Sequence, residues 1–345
     1  MILFNSDYTE GAHPKILDLL QKTNMEQTTG YGEDHYCEKA KRLISQQCNR
    51  TDIDVHFLVG GTQANLTAIT AALRPHQGVI STEGGHISVH ESGAVEATGH
   101  KVITVNGKDG KLLAAHVEAI CEAHLADVTR EHTVQPKMAY ISNATECGTV
   151  YTRGELADLS RACKKYNLYL YMDGARLGYA LACKKNDLDL EAIAQYCDLF
   201  YIGGTKQGTL FGEALVITNP CLKPDFRYII KQRGGMLAKG RLLGLQFTAM
   251  FEDKLYFDLS RHANDQAERI RMACVDAGIP FHFQSDANQI FVVLSDKQIE
   301  LLKHRYVFSY WERVDASHSA VRICTSWATT EDNVDSLIRD LIANI

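Results

Sequence analysis

A chain of 345 residues, 45% apolar and 23% charged, has ordinary globular composition and enough length for one large core and a second, smaller one; no disordered or low-complexity stretch stands out. A formal net charge of −6, with no dense lysine and arginine run and no zinc-finger spacing, offers no positive field to a polyanion, so nucleic acid is not an expected partner. Ten cysteines spread from Cys37 to Cys324 without a C-x-x-C pair read as reduced, mostly buried thiols.

The opening stretch MILFNSDYTEGAHPK lacks a basic lead, an apolar core of signal length and a cleavage site, and no later apolar run is long enough to cross a bilayer. A cytoplasmic protein with no membrane partner is expected. From residue 55 to about 217 the apolar runs VHFLV, GVIS, KVITV, KMAYIS, LYLYM, DLFYI and EALVI alternate with amphipathic or alanine-rich segments. This rhythm predicts an α/β fold, a mainly parallel sheet flanked by helices on both faces. Beyond residue 240 the pattern changes to one long helical run near 241–277, short strands in IPFHF and QIFVVL, a helix near 296–304, a strand in VRICT and a closing helix. A large unit over 1–240 and a smaller C-terminal α+β unit over 241–345 follow, with the N-terminal segment free to pack on the smaller one.

Ligands of such sheets sit beyond the carboxyl ends of the strands, and four segments there carry chemistry. In FLVGGTQANLTAI a strand ends in Gly60 and Gly61 and a helix opens with Thr62; free amides and the helix dipole suit a phosphate, although an ordinary strand-to-helix connection looks the same. It is neither G-x-G-x-x-G nor a Walker loop, against a dinucleotide or ATP. EGGHISVHESGA carries His86, His90 and Glu91. His86 could stack on a cofactor ring and move a proton, could cap a helix, or could pair with His90 on a metal; with no H-E-x-x-H and no assignable third ligand, no metal is expected.

YLYMDGARLG ends an apolar strand at Asp173, which could cap the next turn, pair with Arg176, or hold a proton on a pyridine ring. FYIGGTKQGTLFG sets Lys206 in a glycine-rich turn, either as a solvated charge or as an amine able to hold an aldehyde. Together Asp173 and Lys206 point to pyridoxal 5′-phosphate, which needs both a lysine amine and an acid partner for its ring nitrogen. Arg176, three residues on from Asp173, has a guanidinium suited to a substrate carboxylate, and Arg322 in HSAVRICTSWAT could either bind such a carboxylate or simply point outward from an edge strand.

Taken together, NSD at Asn5 to Asp7, YGED at Tyr31 to Asp34, GGTQAN from Gly60, His86 with Glu91 five residues on, DGAR from Asp173, Lys206, RGGM from Arg233 and the late Arg322 resemble a threonine aldolase. That group belongs to the β-eliminating lyases, among the fold type I, aspartate aminotransferase-like pyridoxal phosphate enzymes, and the similarity covers almost the whole chain. The resemblance implies a lyase that cleaves a β-hydroxy-α-amino acid to glycine and an aldehyde. A related β-eliminating lyase or a racemase would need the same residues, and a non-catalytic binding or sensor protein could retain the fold. It further implies Lys206 as the covalent anchor and Asp173 on the ring nitrogen. His86 would stack on the ring, Gly61 and Thr62 bind the phosphate, and Ser6, Arg176 and Arg322 hold the substrate carboxylate, with Tyr31 near the pocket. A homodimer or homotetramer with sites at the subunit interface is implied. Two departures stand out: Leu237 replaces an arginine that in relatives reaches the neighbouring subunit's phosphate, with Lys239 and Arg241 slightly beyond, and His124 and His132 compete for an expected loop histidine.

Overall fold

The computed structural model describes residues 1–343. After a two-residue strand β1 (Ile2–Leu3), the seven expected runs form β2 (Asp54–Leu58), β3 (Gln77–Thr82), β4 (Val102–Val105), β5 (Gln135–Ser142), β6 (Tyr169–Asp173), β7 (Leu199–Gly203) and β8 (Glu213–Ile217). They make one sheet in the order β2-β8-β7-β6-β5-β3-β4, in which β8 alone runs antiparallel to its two neighbours. The fold is therefore the mainly parallel α/β arrangement expected.

Successive strand residues point to opposite faces, and here both faces are covered. Ala139, Ile141, Leu170, Met172, Phe200, Ile202, Ala214 and Val216 join one apolar core, with helices His35–Gln47 and Arg153–Lys165. Met138, Tyr140, Tyr171, Leu199, Tyr201, Leu215 and Ile217 join the other, under helix Gly61–Ala72. Burial on both faces is why these strands read as continuous apolar runs rather than alternating ones. The same alternation sets Tyr140, Tyr171, Tyr201 and Asp173 on one face.

The smaller sheet comprises β9 (Phe281–Phe283), β10 (Gln289–Ser295), β12 (Ser309–Arg313) and β13 (His318–Cys324), antiparallel in the order β12-β13-β10-β9; β11 (Tyr306–Val307) pairs instead with β1. Through β1, and through Phe4 in the small core, the N-terminal segment packs with the C-terminal unit. The last two residues of the expected 241–345 unit lie outside the described residues.

Two features differ from the sequence reading. The single run near 241–277 is two helices, Arg241–Glu252 and Leu255–Asp276, broken where Lys254 takes the left-handed φ of 59°. The first places Phe247, Met250 and Phe251 in the core of the large sheet, and the second places Ala267, Ile270 and Cys274 in the small one; the break lets the chain serve both. Strand β12 was not expected, because SYWER is a largely exposed edge strand without a clear apolar alternation. All ten cysteines are free; eight are buried, Cys147 is half-buried and Cys221 is exposed. Among the described residues no helix is long and apolar enough to cross a membrane.

Glycines let the backbones at the ends of β6 and β7 touch. A Cβ on Gly174 would lie 1.8 Å from the Tyr201 carbonyl oxygen, and one on Gly203 would lie 2.6 Å from those of Gly174 and Ala175. The turn after Asp173 thus presses on the strand leading to Lys206. Gly174→Ala is expected to lower stability by about 2–3 kcal/mol through this overlap; an unchanged urea midpoint would contradict the contact.

Candidate active site

Asp173 ends β6 fully buried. Its Oδ2 accepts from Tyr140 Oη at 2.6 Å and Asn65 Nδ2 at 3.1 Å, and its Oδ1 from Ala175 N at 2.9 Å and from the Tyr201 hydroxyl. Burial drives its pKa upward, but the His86 charge and these donors outweigh it and hold the carboxyl below its ordinary value. The result is a preformed buried anion. Burial pushes the Tyr140 and Tyr201 hydroxyls well above the usual phenol range, so both remain donors, and being rotatable both can turn aside for another donor.

Asn65 extends the network. Its amide also donates to Glu91 Oε1 at 2.6 Å and its carbonyl accepts from Tyr171 at 2.8 Å, while Glu91 Oε1 meets His86 Nδ1 at 2.8 Å. A carboxylate on Nδ1 fixes the proton there and leaves Nε2 as the working nitrogen. Burial lowers the His86 pKa, yet the Glu91 hydrogen bond and the charges of Glu146, Asp173 and Glu91 raise it overall. His90 lies beside it, ring centroids 5.5 Å apart, but it is Glu91 that orients His86.

Lys206 occupies a short 3₁₀ turn, Thr205–Gln207, one residue past β7. The turn is held by the Tyr179 hydroxyl, which donates to the Lys206 carbonyl. Half-buried, its Nζ has no hydrogen bond or ion pair among the described residues. Across the sheet end, helix Gly61–Ala72 starts without a side-chain cap, so the amides of Gly61, Thr62 and Gln63 are its unpaired donors. A Cβ on Gly61 would stand 2.9 Å from Tyr201 Oη; glycine here lets the helix start approach the Asp173 cluster.

The NSD segment threads between the two arginines. The Asn5 carbonyl accepts from Arg322 Nη2 at 3.2 Å, and Asp7 takes Arg176 bidentately, Nε at 2.7 Å and Nη2 at 3.0 Å, with Asn288 donating to Asp7 at 2.9 Å. Ser6 Oγ and Arg322 Nε are buried without partners. The Glu146 carboxylate lies 4.0 Å from Arg176 Nη1. The structure therefore gathers Lys206, Asp173, His86, Gly61 and Thr62 around one sheet end, with Ser6, Arg176 and Arg322 joined through residues 5–7.

Tyr31 is placed differently. It is 47% exposed, adopts φ 61°, and contacts Arg227, Lys231 and Ala238. Leu237 and exposed Lys239 lie in the same region, while Arg241 is spent on the carbonyls of Thr23 and Glu26. His124 and His132 sit just before β5, at the opposite end of a strand whose Ser142 pairs with Asp173, roughly 20 Å away at 3.3 Å per residue; neither belongs to this site. Asp7, Asn65, Glu146 and Glu213 are site residues to which the sequence reading assigned no role. For Glu213 a signal existed, a lone charge opening the apolar run EALVI.

The arrangement, a preformed anion, an unpaired lysine and an uncapped helix start at one end of the sheet, is suited to pyridoxal phosphate. Unpaired donors on Ser6, Arg322 and Lys206 and the glycine cradle at Gly61 fit that group. Comparisons agree with the fold: an aspartate aminotransferase of Thermus thermophilus superposes with a TM-score of 0.68 at 15% identity, covering 100% of this chain and 92% of that one. A model of the β-eliminating lyase family matches residues 4–297. A low specificity L-threonine aldolase of Pseudomonas aeruginosa is 32% identical over 98% of this chain and 96% of its own. A threonine aldolase of Leishmania major is 47% identical with a TM-score of 0.96, covering 99% of this chain and 98% of that one. The chain belongs to the β-eliminating lyase family.

The Asp7–Arg176 pair yields a pH prediction. Burial pushes Asp7 upward, but the charges of Arg176 and Lys206 and hydrogen bonds from Arg176 and Asn288 bring it down to about 2 from 3.8. A folded-state value below the unfolded one means the contribution is complete above about pH 4 and is lost as pH falls through about 2. Asp7→Asn strands a buried guanidinium and is expected to cost about 3 kcal/mol at pH 7, with a flatter acid branch of stability between pH 4 and 2; identical urea curves across that range would contradict it.

Proposed function

We propose that the protein is a pyridoxal 5′-phosphate-dependent lyase that cleaves a β-hydroxy-α-amino acid of the threonine or allo-threonine type to glycine and an aldehyde. The observation that carries this reading is Lys206: a half-buried amine without a hydrogen-bond or ion-pair partner, at the same sheet end as the anionic Asp173, in a chain 47% identical to a threonine aldolase. When bound, the cofactor supplies an electron sink for the bond that breaks.

Each residue then has a task. Lys206 anchors the cofactor covalently, and the anionic Asp173 keeps the ring nitrogen protonated, with Tyr140 or Tyr201 yielding one donor position. Gly61 and Thr62 hold the phosphate at the helix N-terminus. His86 stacks on the ring, and its Nε2, with Nδ1 fixed by Glu91, handles the β-hydroxyl proton directly or through water. Arg322 and Ser6, each with a buried unpaired donor, grip the substrate carboxylate. Arg176, two of whose donors are taken by Asp7, contributes Nη1 and orientation.

The exposed Tyr31 and its strained backbone support a role at a neighbouring copy's pocket, in a cytoplasmic homodimer or homotetramer. With Leu237 at the expected arginine position, that neighbour gives no guanidinium there.

The test is product analysis with threonine, allo-threonine, phenylserine and serine. Glycine plus aldehyde is expected; pyruvate or another 2-oxo acid would make the protein an eliminating lyase instead, and inverted amino acid a racemase. Lys206→Ala is expected to lose turnover by on the order of 10³-fold or more and to lose the borohydride-fixed adduct. An adduct persisting on another lysine would remove Lys206 from its role.

A further inference from the structure

We propose that Glu146 is a further catalytic residue: its carboxylate accepts the hydrogen bond of the substrate's β-hydroxyl group and takes that proton as the Cα–Cβ bond breaks. The proposal deepens the cleavage reading above and rests on it.

Glu146 follows β5 at the tip of a tight turn pinned on several sides. Thr145 N donates to the Thr149 carbonyl and Gly148 N to the Thr145 carbonyl, both at 2.9 Å. Thr149 Oγ1 donates to the Asp109 carbonyl at 2.8 Å, and the Gly148 carbonyl accepts from Asp286 N of the smaller unit at 2.8 Å. From this fixed turn Glu146 lines one small cavity with Gly85, Tyr140 and Ser142. Gly85 directly precedes His86, Tyr140 donates to Asp173 at 2.6 Å, and Ser142 pairs with Asp173 across the sheet. Glu146 Oε2 also lies 4.0 Å from Arg176 Nη1.

What sets Glu146 apart is that nothing holds its carboxylate. Asp7, Glu91, Asp173 and Glu213 each accept hydrogen bonds, the last from Gly204 N at 3.0 Å and Thr205 Oγ1 at 2.9 Å. Glu146 accepts none among the described residues. Nor is it needed to neutralise Arg176, which Asp7 already meets through two hydrogen bonds; the 4.0 Å to Nη1 is beyond hydrogen-bond reach. With 15% of its side chain exposed, the carboxylate is open to a small molecule.

A β-hydroxy-α-amino acid supplies the missing donor. Its carboxylate meets the free donors of Ser6 and Arg322, whereas its hydroxyl hydrogen needs an acceptor. In the cleavage the hydroxyl O–H bond and the Cα–Cβ bond break. The proton moves to a Glu146 oxygen, the O–H electron pair becomes the second bond of the aldehyde carbonyl, and the Cα–Cβ pair passes to the electron sink and returns to Cα with a proton to give glycine. His86 Nε2, assigned above to this proton, receives it from Glu146, whose charge acts on that imidazole.

The experiment compares two reactions of the holoenzyme. Cleavage of threonine or allo-threonine requires removal of the hydroxyl proton. Exchange of a glycine α-proton in deuterium oxide, the reverse of the closing step, uses the same cofactor, lysine and arginines but no hydroxyl. Glu146→Gln keeps the shape and removes the basic oxygen, so cleavage is expected to fall by about 10²-fold or more. Glycine exchange, and glycine affinity read from the cofactor's absorbance, are expected to stay at wild-type values. Glu146→Ala is expected to divide the two reactions in the same way, so the test survives the failure of either variant to fold. Wild-type cleavage in a cofactor-bearing variant overturns the proposal, and so does an equal loss of both reactions, the mark of a group that only shapes the site. A wild-type protein that makes no glycine from threonine or allo-threonine would instead overturn the parent reading.

Discussion

The site is organised by the need to keep one carboxylate charged where water cannot reach it. Removing an ion from water costs several kcal/mol even after relaxation, and Asp173 offsets that with four donors drawn from separate parts of the chain: Asn65 from a helix, Tyr140 from β5, Tyr201 from β7 and the amide of its own turn. This explains otherwise odd choices. Large phenols line one face of a central sheet because their rings fill the core and their hydroxyls reach the anion. An asparagine sits inside a buried helix because it ties the Asp173 cluster to Glu91, and through it to the imidazole of His86. The donors themselves are fixed by packing, so the charge is prepared before any ligand arrives.

Around that anion the other charges are sorted into paired and unpaired groups. Arg176 is neutralised by Asp7, His86 is matched by Glu91, and Glu146 stands close to both Arg176 and His86. Lys206, by contrast, has no partner, and Arg322 and Ser6 keep buried donors free. Unsatisfied donors in a protein interior are expensive, and two of them beside the open amine of Lys206 indicate a site shaped for a molecule carrying anionic and carbonyl groups.

The fold was largely legible because strands buried on both faces announce themselves as apolar runs. The residues at the ends of those runs, Asp173, Lys206, Gly61 and His86, could be found from the sheet rule alone. Asp7, Asn65 and Glu146 could not. Asp7 meets Arg176 across 169 residues, Asn65 looks like any polar residue in a helix, and Glu146 lies in a loop whose path depends on the tertiary structure. The two arginines were recognised as carboxylate binders, but that one of them is already held by Asp7 is a property of the folded N-terminal segment. The helix break at Lys254 was hidden because neither glycine nor proline marks it, and β12 because an exposed edge strand leaves no pattern to read.

The distribution of thiols has a practical corollary. Cys221, in the turn after β8, is the one exposed cysteine; the partly accessible Cys147 is pushed up to about 11 by burial and the nearby Glu146 and Asp109 carboxylates, leaving little thiolate at neutral pH. A maleimide dye should accordingly label each chain once, at a known place on the large unit, without removing any native cysteine. Such a single fluorophore would serve for distance measurements between copies in solution.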